Sequence, residues 1–261
     1  MEKYKKKKEE TEEENARTNQ SDMLDDPVRM YLKQMGQVPL LSREEEVDIS
    51  KRIESAESAA LKIVYSVSLA SDFQLDICQK LLSREERFDR VVLDKKIDSR
   101  ESYFKSLAKQ VVALEDLNKK ITNAWNSIEN AKNETQRKRS TTRFRNYEAE
   151  LAPIFKKCCL KLKVFEDFLQ KLNPELKLIA RNLFNLGLYK KDKVKIKRKG
   201  VKIEQVREDL EKARLKFRMD PEELIKLIKD LRQNMRLAHK AKTEMVEANL
   251  RLVISIAKKY T

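Results

Sequence analysis

Glycine is nearly missing from this sequence: three residues in 261, with five prolines, where about 7 % glycine is usual. Tight turns that need positive φ are therefore scarce. That excludes sandwiches and barrels built on short turns, and it excludes the glycine-rich loops that cradle phosphates. Cysteine is almost as rare: Cys78, Cys158 and Cys159, with no C-x-x-C pair, accompany a single histidine, His239. Those residues are too few and too scattered for a zinc site of ordinary ligand spacing. A disulfide framework is not expected either, which fits a reducing compartment such as the cytoplasm. No apolar run approaches the ~18 residues of a membrane span, and no apolar segment follows the basic N-terminus as in a secretory signal. No nucleophile has a base near it in sequence, so no catalytic residue, metal or cofactor is expected.

What is present is charge. Asp, Glu, Lys and Arg make up 39 % of the chain, against about 25 % in ordinary domains. The formal net charge is +15, with a pI near 9.5. Such a balance speaks to partners, nucleic acid or an acidic protein surface, and not to fold. A solvated, Lys-biased helix surface would read the same way. With 40 % apolar residues, a core is available but thin. The expected fold is all-α: a helical bundle with long antiparallel helices and a disordered N-terminal tail.

Residues 1–24 are almost purely polar, and too little apolar surface is available there to offset the entropy of ordering. Order is expected from Asp25-Asp26-Pro27, a capping residue followed by proline at the first helical position. Val28, Tyr31, Leu32 and Met35 form one face, and Gly36 supplies a stop. A helix of about three turns cannot stand alone in water. After Pro39, Ser42 and Glu45 have the spacing of a capping box. Val47, Ile49, Ile53, Ala56, Ala60 and Val64 carry that helix to about Leu69. Ser83-Arg84-Glu85-Glu86 repeats the capping spelling.

Between Asp72 and Asp220 the sequence shows packing faces and no chemistry. Phe104, Leu107, Val111, Leu114, Leu117, Ile121, Ala124 and Ile128 step by threes and fours. Asn133 to Arg143 reads as a polar hairpin turn. Phe144, Tyr147, Leu151, Phe155, Cys158, Leu162, Phe165, Leu169 and Leu172 make a returning stripe, which Pro153 should kink or restart. Asn173-Pro174 reads as a new helix start, with Leu176, Ile179, Leu183 and Leu186 stopped by Gly187. The exposed helical length of residues 104–172 also offers a place for a regulator to dock. Lys190 to Lys202 holds eight Lys or Arg and one Asp. Such a run grips phosphates or is a solvated loop, and the lack of interleaved aromatics favours the loop.

Asp220-Pro221 opens the last pattern, through Leu224, Ile228, Leu231 and Met235, as one long helix or two with a break near Asn234. In its final stretch Met245, Ala248, Leu252 and Ile256 fall at helical spacing, widened by Leu250, Val253, Ile254 and Ala257. A helix this apolar is expected to be buried over most of its circumference. It runs to Lys258, Lys259 and Thr261 with no Gly or Pro stop, so the sequence is expected to be cut rather than finished.

Two separated stretches carry a resemblance. Asp26-Pro-Val-Arg-Met-Tyr-Leu-Lys-Gln-Met-Gly36, with Pro39 to Glu46 and Ile49 to Glu54, resembles the first conserved region of primary (housekeeping) bacterial sigma factors. Glu244 to Tyr260 resembles the first segment of that family's central helical domain. The resemblance implies a first conserved region at 25–70, a non-conserved helical insertion at 71–220 and a truncated start of the central domain at 221–261. It further implies a transcription initiation factor that binds core RNA polymerase and promoter DNA. The strand implied is the single-stranded non-template discriminator. Carried over by position, DNA contact would fall on Arg29, Met30, Tyr31, Leu32 and Lys33, and on Asn249 and Arg251 in the closing helix.

Overall fold

A computed structural model describes residues 41–93, 97, 99–191 and 200–257, with the side chains of 251, 254, 255 and 257 left out. The expected tail 1–24, the helix expected from Asp25 to Gly36 and most of the basic run 190–202 lie outside the described residues.

Among the described residues the chain is helical and holds no strand. Helix α1 is Arg43–Tyr65, followed by a 3-10 turn, Ser68–Ala70. Helices α2 (Ser71–Leu82), the single turn α3 (Phe88–Val91), α4 (Arg100–Glu129) and α5 (Glu134–Lys157) come next. Then follow α6 (Leu162–Lys191), α7 (Ile203–Phe217) and α8 (Pro221–Ala257). The chain divides into two compact units, Met1–Ile53 with His239–Thr261, and Glu54–Ala238. Helices α1 and α8 each contribute residues to both.

The larger unit is built on the α4–α5 hairpin. Leu107, Val111, Leu114, Leu117, Ile121, Ala124 and Ile128 are all buried, as the period of their stripe requires. Each of the Leu, Val and Ile side chains contributes roughly 1.5–3 kcal/mol of burial. At the foot of α4 the stripe turns by one residue: Tyr103 is buried and Phe104 only half so, because the Tyr103 hydroxyl donates to the Cys158 carbonyl at 2.8 Å. The turn is far shorter than expected. Asn133 already caps α5, its Oδ1 accepting the Gln136 N–H at 2.8 Å, so Glu134 to Arg143 is helix, not loop.

Several expected breaks are absent. Helix α5 runs through Pro153 to Lys157, and α6 runs through both Pro174 and Gly187 to Lys191. Asn173-Pro174 therefore starts nothing: Leu169, Leu176 and Ile179 stay buried on either side of it, and that packing outweighs one lost backbone bond. The true corner is Cys158–Lys161. Cys159 adopts φ 49°, and an isolated bridge pairs Leu160 with Val92. Ser83-Arg84-Glu85-Glu86 closes a helix instead of opening one. Arg84 sits at φ 63°, and the N–H groups of Glu85 and Glu86 turn back to the Lys80 carbonyl.

Helix α8 is one helix, unbroken at Asn234, whose side chain donates to the Asp230 carbonyl at 2.9 Å. Asp220 opens it as expected, accepting the Glu222 N–H at 2.8 Å. No described helix is long and apolar enough to cross a membrane.

Candidate nucleic-acid interface

The smaller unit brings the start of α1 against the end of α8. Its entry is set by the capping box. The Ser42 hydroxyl accepts the Glu45 N–H at 3.2 Å, and the Glu45 carboxylate accepts the Ser42 N–H at 2.7 Å. The capping box thereby matches two backbone donors at the helix start. One turn on, Ile49 is buried, and Ala248 of α8, which lines the same groove, is buried too.

Arg52 ties the two segments. Its guanidinium donates to Glu244 at 2.7 Å and to Asp48 at 3.1 Å. Glu244, and less strongly Asp48, push the Arg52 pKa above the ordinary guanidinium value. Around this contact runs a groove of about 570 Å³ lined by Leu41, Glu44, Glu45, Asp48, Glu247 and Ala248, with Ile49, Arg52 and Glu244. Apart from Arg52, every charged residue lining it among the described residues is acidic. Such a surface repels phosphate and would take cations or basic side chains.

Of the residues singled out for DNA contact, Arg29, Met30, Tyr31, Leu32 and Lys33 lie outside the described residues. Asn249 is exposed on α8, about 100° round the helix axis from the buried Ala248. Arg251 is within the same helix, its side chain not described. The expectation that the closing helix is buried over most of its circumference does not hold. Ala248 is buried and Met245 half-buried, but Val246, Leu250, Leu252, Val253 and Ile256 are exposed, because only one side of the helix meets α1. Sequence reading missed Arg52 and Glu244 as partners. The i,i+4 spacing of Asp48 and Arg52 was the only local sign that this position carries a fixed charge. Among the described residues no group of His, Cys, Asp and Glu is placed to hold a metal.

Residues 26–59 match the model of the sigma-70 factor family, region 1.2. The chain carries a sigma-70 region 1.2. Along 91 % of its length it is 27 % identical, over 308 residues, to the RNA polymerase sigma factor RpoD of Helicobacter pylori strain 26695. Over 46 residues it is 52 % identical to the sigma factor SigA of Clostridium acetobutylicum, which covers 18 % of this chain and 12 % of the relative. A 67-residue stretch is 40 % identical to RpoD of Neisseria gonorrhoeae, covering 26 % of this chain and 10 % of that protein. The resemblance to the N-terminal part of primary sigma factors thus rests on a matched region 1.2 and on similarity along most of the chain. The chain spans 44 % of the length of the Helicobacter pylori relative. Capping box, Ile49 and Arg52 all fall within region 1.2.

Proposed function

We propose that this chain works in transcription initiation as part of a sigma factor, binding core RNA polymerase and holding the unwound non-template strand of the promoter discriminator. It acts by binding and is not an enzyme; the polymerase supplies the chemistry. The observation that carries the reading is the match of residues 26–59 to region 1.2. Support comes from the contact of Arg52 in that region with Glu244 in the stretch resembling the central sigma domain.

The functional parts follow as region 1.2 within 25–70, a helical insertion at 71–220 and the start of the central domain at 221–261. Arg29, Lys33 and Arg251 would hold phosphates, Met30, Tyr31 and Leu32 would lie against unpaired bases, and Asn249 would hydrogen-bond to the strand. The groove lined by Glu44, Glu45, Asp48, Glu244 and Glu247 is not assigned to DNA, since its carboxylates oppose a phosphate backbone.

The test is fluorescence anisotropy of a labelled single-stranded discriminator oligonucleotide with the full chain and with an Arg29→Ala, Lys33→Ala variant. Each lost phosphate contact should lower the slope of log affinity against log salt by about 0.7. An unchanged affinity and slope would remove these residues from the interface. Retention of core polymerase on the immobilised chain tests the protein partner separately.

A further inference from the structure

The first half of α5 carries charge of almost one sign. Between Lys132 and Asn146 stand six cations, Lys132, Arg137, Lys138, Arg139, Arg143 and Arg145, and a single carboxylate, Glu134. That carboxylate is taken by Lys138 at 2.8 Å. The four arginines are exposed, and among the described residues none donates a hydrogen bond or forms an ion pair within 4.0 Å. Arg145 feels the charge of Glu148 one turn on, but Glu148 is half-buried and accepts the Ser68 N–H. Arg137 and Arg145 also border a groove of about 770 Å³ floored by Trp125 and Phe144. Glu148, Asp220 and Glu223 line it too, so the charges there balance and the groove selects no occupant.

The outward side of the helix is different. An α-helix turns about 100° per residue. Ser140 and Phe144 are buried, and Thr142 points away from them, about 160° from each. Lys138 and Asn146 stand about 40° to either side of Thr142, and Arg139 and Arg145 about 60° to either side; all five are exposed. Arg143 lies about 40° beyond Arg139. The face is thus a polar crest with a guanidinium flank on each side. No large apolar residue is exposed between Val112 and Leu178 among the described residues, so the surface lacks the apolar centre of a protein interface. The one aromatic between Lys132 and Asn146 is the buried Phe144, so unpaired bases find nothing to stack on. A phosphate backbone asks only for charge and donors. A helix about 10–12 Å across fits the B-form major groove, about 12 Å wide, whereas the major groove of A-form RNA is too narrow for it.

We propose that this face of α5 docks in the major groove of duplex DNA, with Arg139 and Arg143 on one phosphate rim, Arg145 on the other and Thr142 at the crest between them. Lys138 is held by Glu134, and the Thr142 hydroxyl already donates to the Lys138 carbonyl at 3.0 Å. The crest therefore has little left with which to read base edges, and the contact is to the backbone whatever the sequence. The site is separate from region 1.2, whose proposed ligand is an unpaired strand, and neither reading depends on the other.

The test is fluorescence anisotropy of a labelled, fully paired DNA duplex of about 20 base pairs titrated with the full chain over a range of salt. The Arg139→Ala, Arg145→Ala variant, which removes one cation from each flank, should bind about tenfold or more weakly at low salt. Its slope of log affinity against log salt should fall by about 1.8, or about 0.9 for each phosphate lost. The Lys177→Ala, Arg181→Ala variant removes the same charge from exposed positions of α6 and should change the slope by less than about 0.5. Far-UV circular dichroism checks that both variants fold; all four positions are exposed. A duplex whose major groove is filled by glucosylated hydroxymethylcytosine should lose the part of the binding that depends on Arg139 and Arg145, and duplex RNA should lack it. Equal losses in the two variants, or none in either, would overturn the site. So would undiminished binding of the groove-filled duplex or of duplex RNA, and so would poly-glutamate binding the chain through Arg139 and Arg145 where duplex DNA does not.

Discussion

Arg52 of α1 and Glu244 of α8 stand 192 residues apart in the sequence and 2.7 Å apart in space. Both side chains are partly exposed, so their attraction is screened by salt and weak. The pair marks how the two chain segments register, and Ile49 and Ala248, buried residues of the same groove, lie on the same two segments.

A double-mutant cycle with Arg52→Gln and Glu244→Gln should show that register. Hydrogen exchange over 43–53 and 239–250 is expected to accelerate in either single variant, with the double variant little worse than either. The coupling should fade at about 1 M salt, where the screening length falls to ~3 Å. Strictly additive effects at low salt would mean that the pair does not form in solution.

Pro153 is exposed inside α5 and leaves the helix one N–H short. Pro153→Ala should raise stability by about 1–3 kcal/mol, since proline in a helix interior is the poorest of residues. Urea unfolding reads this as a higher midpoint at constant slope. A lower midpoint would show that the ring packs usefully where the structure leaves it in water.

The α4 stripe predicts a sharp contrast between near neighbours. Leu114 is fully buried while Val112 is 66 % exposed. Leu114→Ala should cost about 2–5 kcal/mol; Val112→Ala should stay within about 0.5 kcal/mol. Comparable losses at both positions would mean that the face of α4 has been assigned wrongly.

Glu148 titrates against burial. Desolvation holds its pKa above the usual carboxylate value, opposed by the Ser68 N–H at 2.8 Å. The folded state therefore keeps this proton to higher pH than the unfolded chain does. Its contribution is most favourable below about pH 4, where both states are protonated, and declines as pH rises through the raised folded value. Glu148→Gln keeps an acceptor for Ser68 without the charge. The stability of the variant relative to the native chain should thus rise from acid to neutral pH, measured by urea unfolding across that range. A flat difference would place Glu148 in water.

Periodicity made the core of the larger unit readable in advance. Leu107 to Ile128 repeat at helical spacing because one face alone is buried, and the caps at Ser42 and Asp220 were readable because their chemistry is local. Punctuation was less trustworthy. Pro174 and Gly187 look like breaks, but the buried residues to either side of Pro174 keep α6 continuous. The letters at Ser83–Glu86 spell a helix start, yet Arg84 in the left-handed region turns them into an ending. The Arg52–Glu244 contact was not readable at all, because no local spacing couples positions so remote. The groove at Trp125 is likewise assembled by the end of α1, α4, α5 and the α7–α8 corner, four stretches whose sequences carry no sign of one another.

Scarcity of glycine leaves its mark at the corners. Arg84, Cys159 and Arg218 all take left-handed backbone, with φ of 63°, 49° and 52°, where glycine would sit without strain. These corners are not equally free to drift over evolution. Arg84 is exposed and uses its side chain for nothing recorded among the described residues, so a glycine there would be welcome. Arg218 anchors Asp72 and Thr122 from the same strained position, and no glycine can replace it without unfastening α7 from α2 and α4.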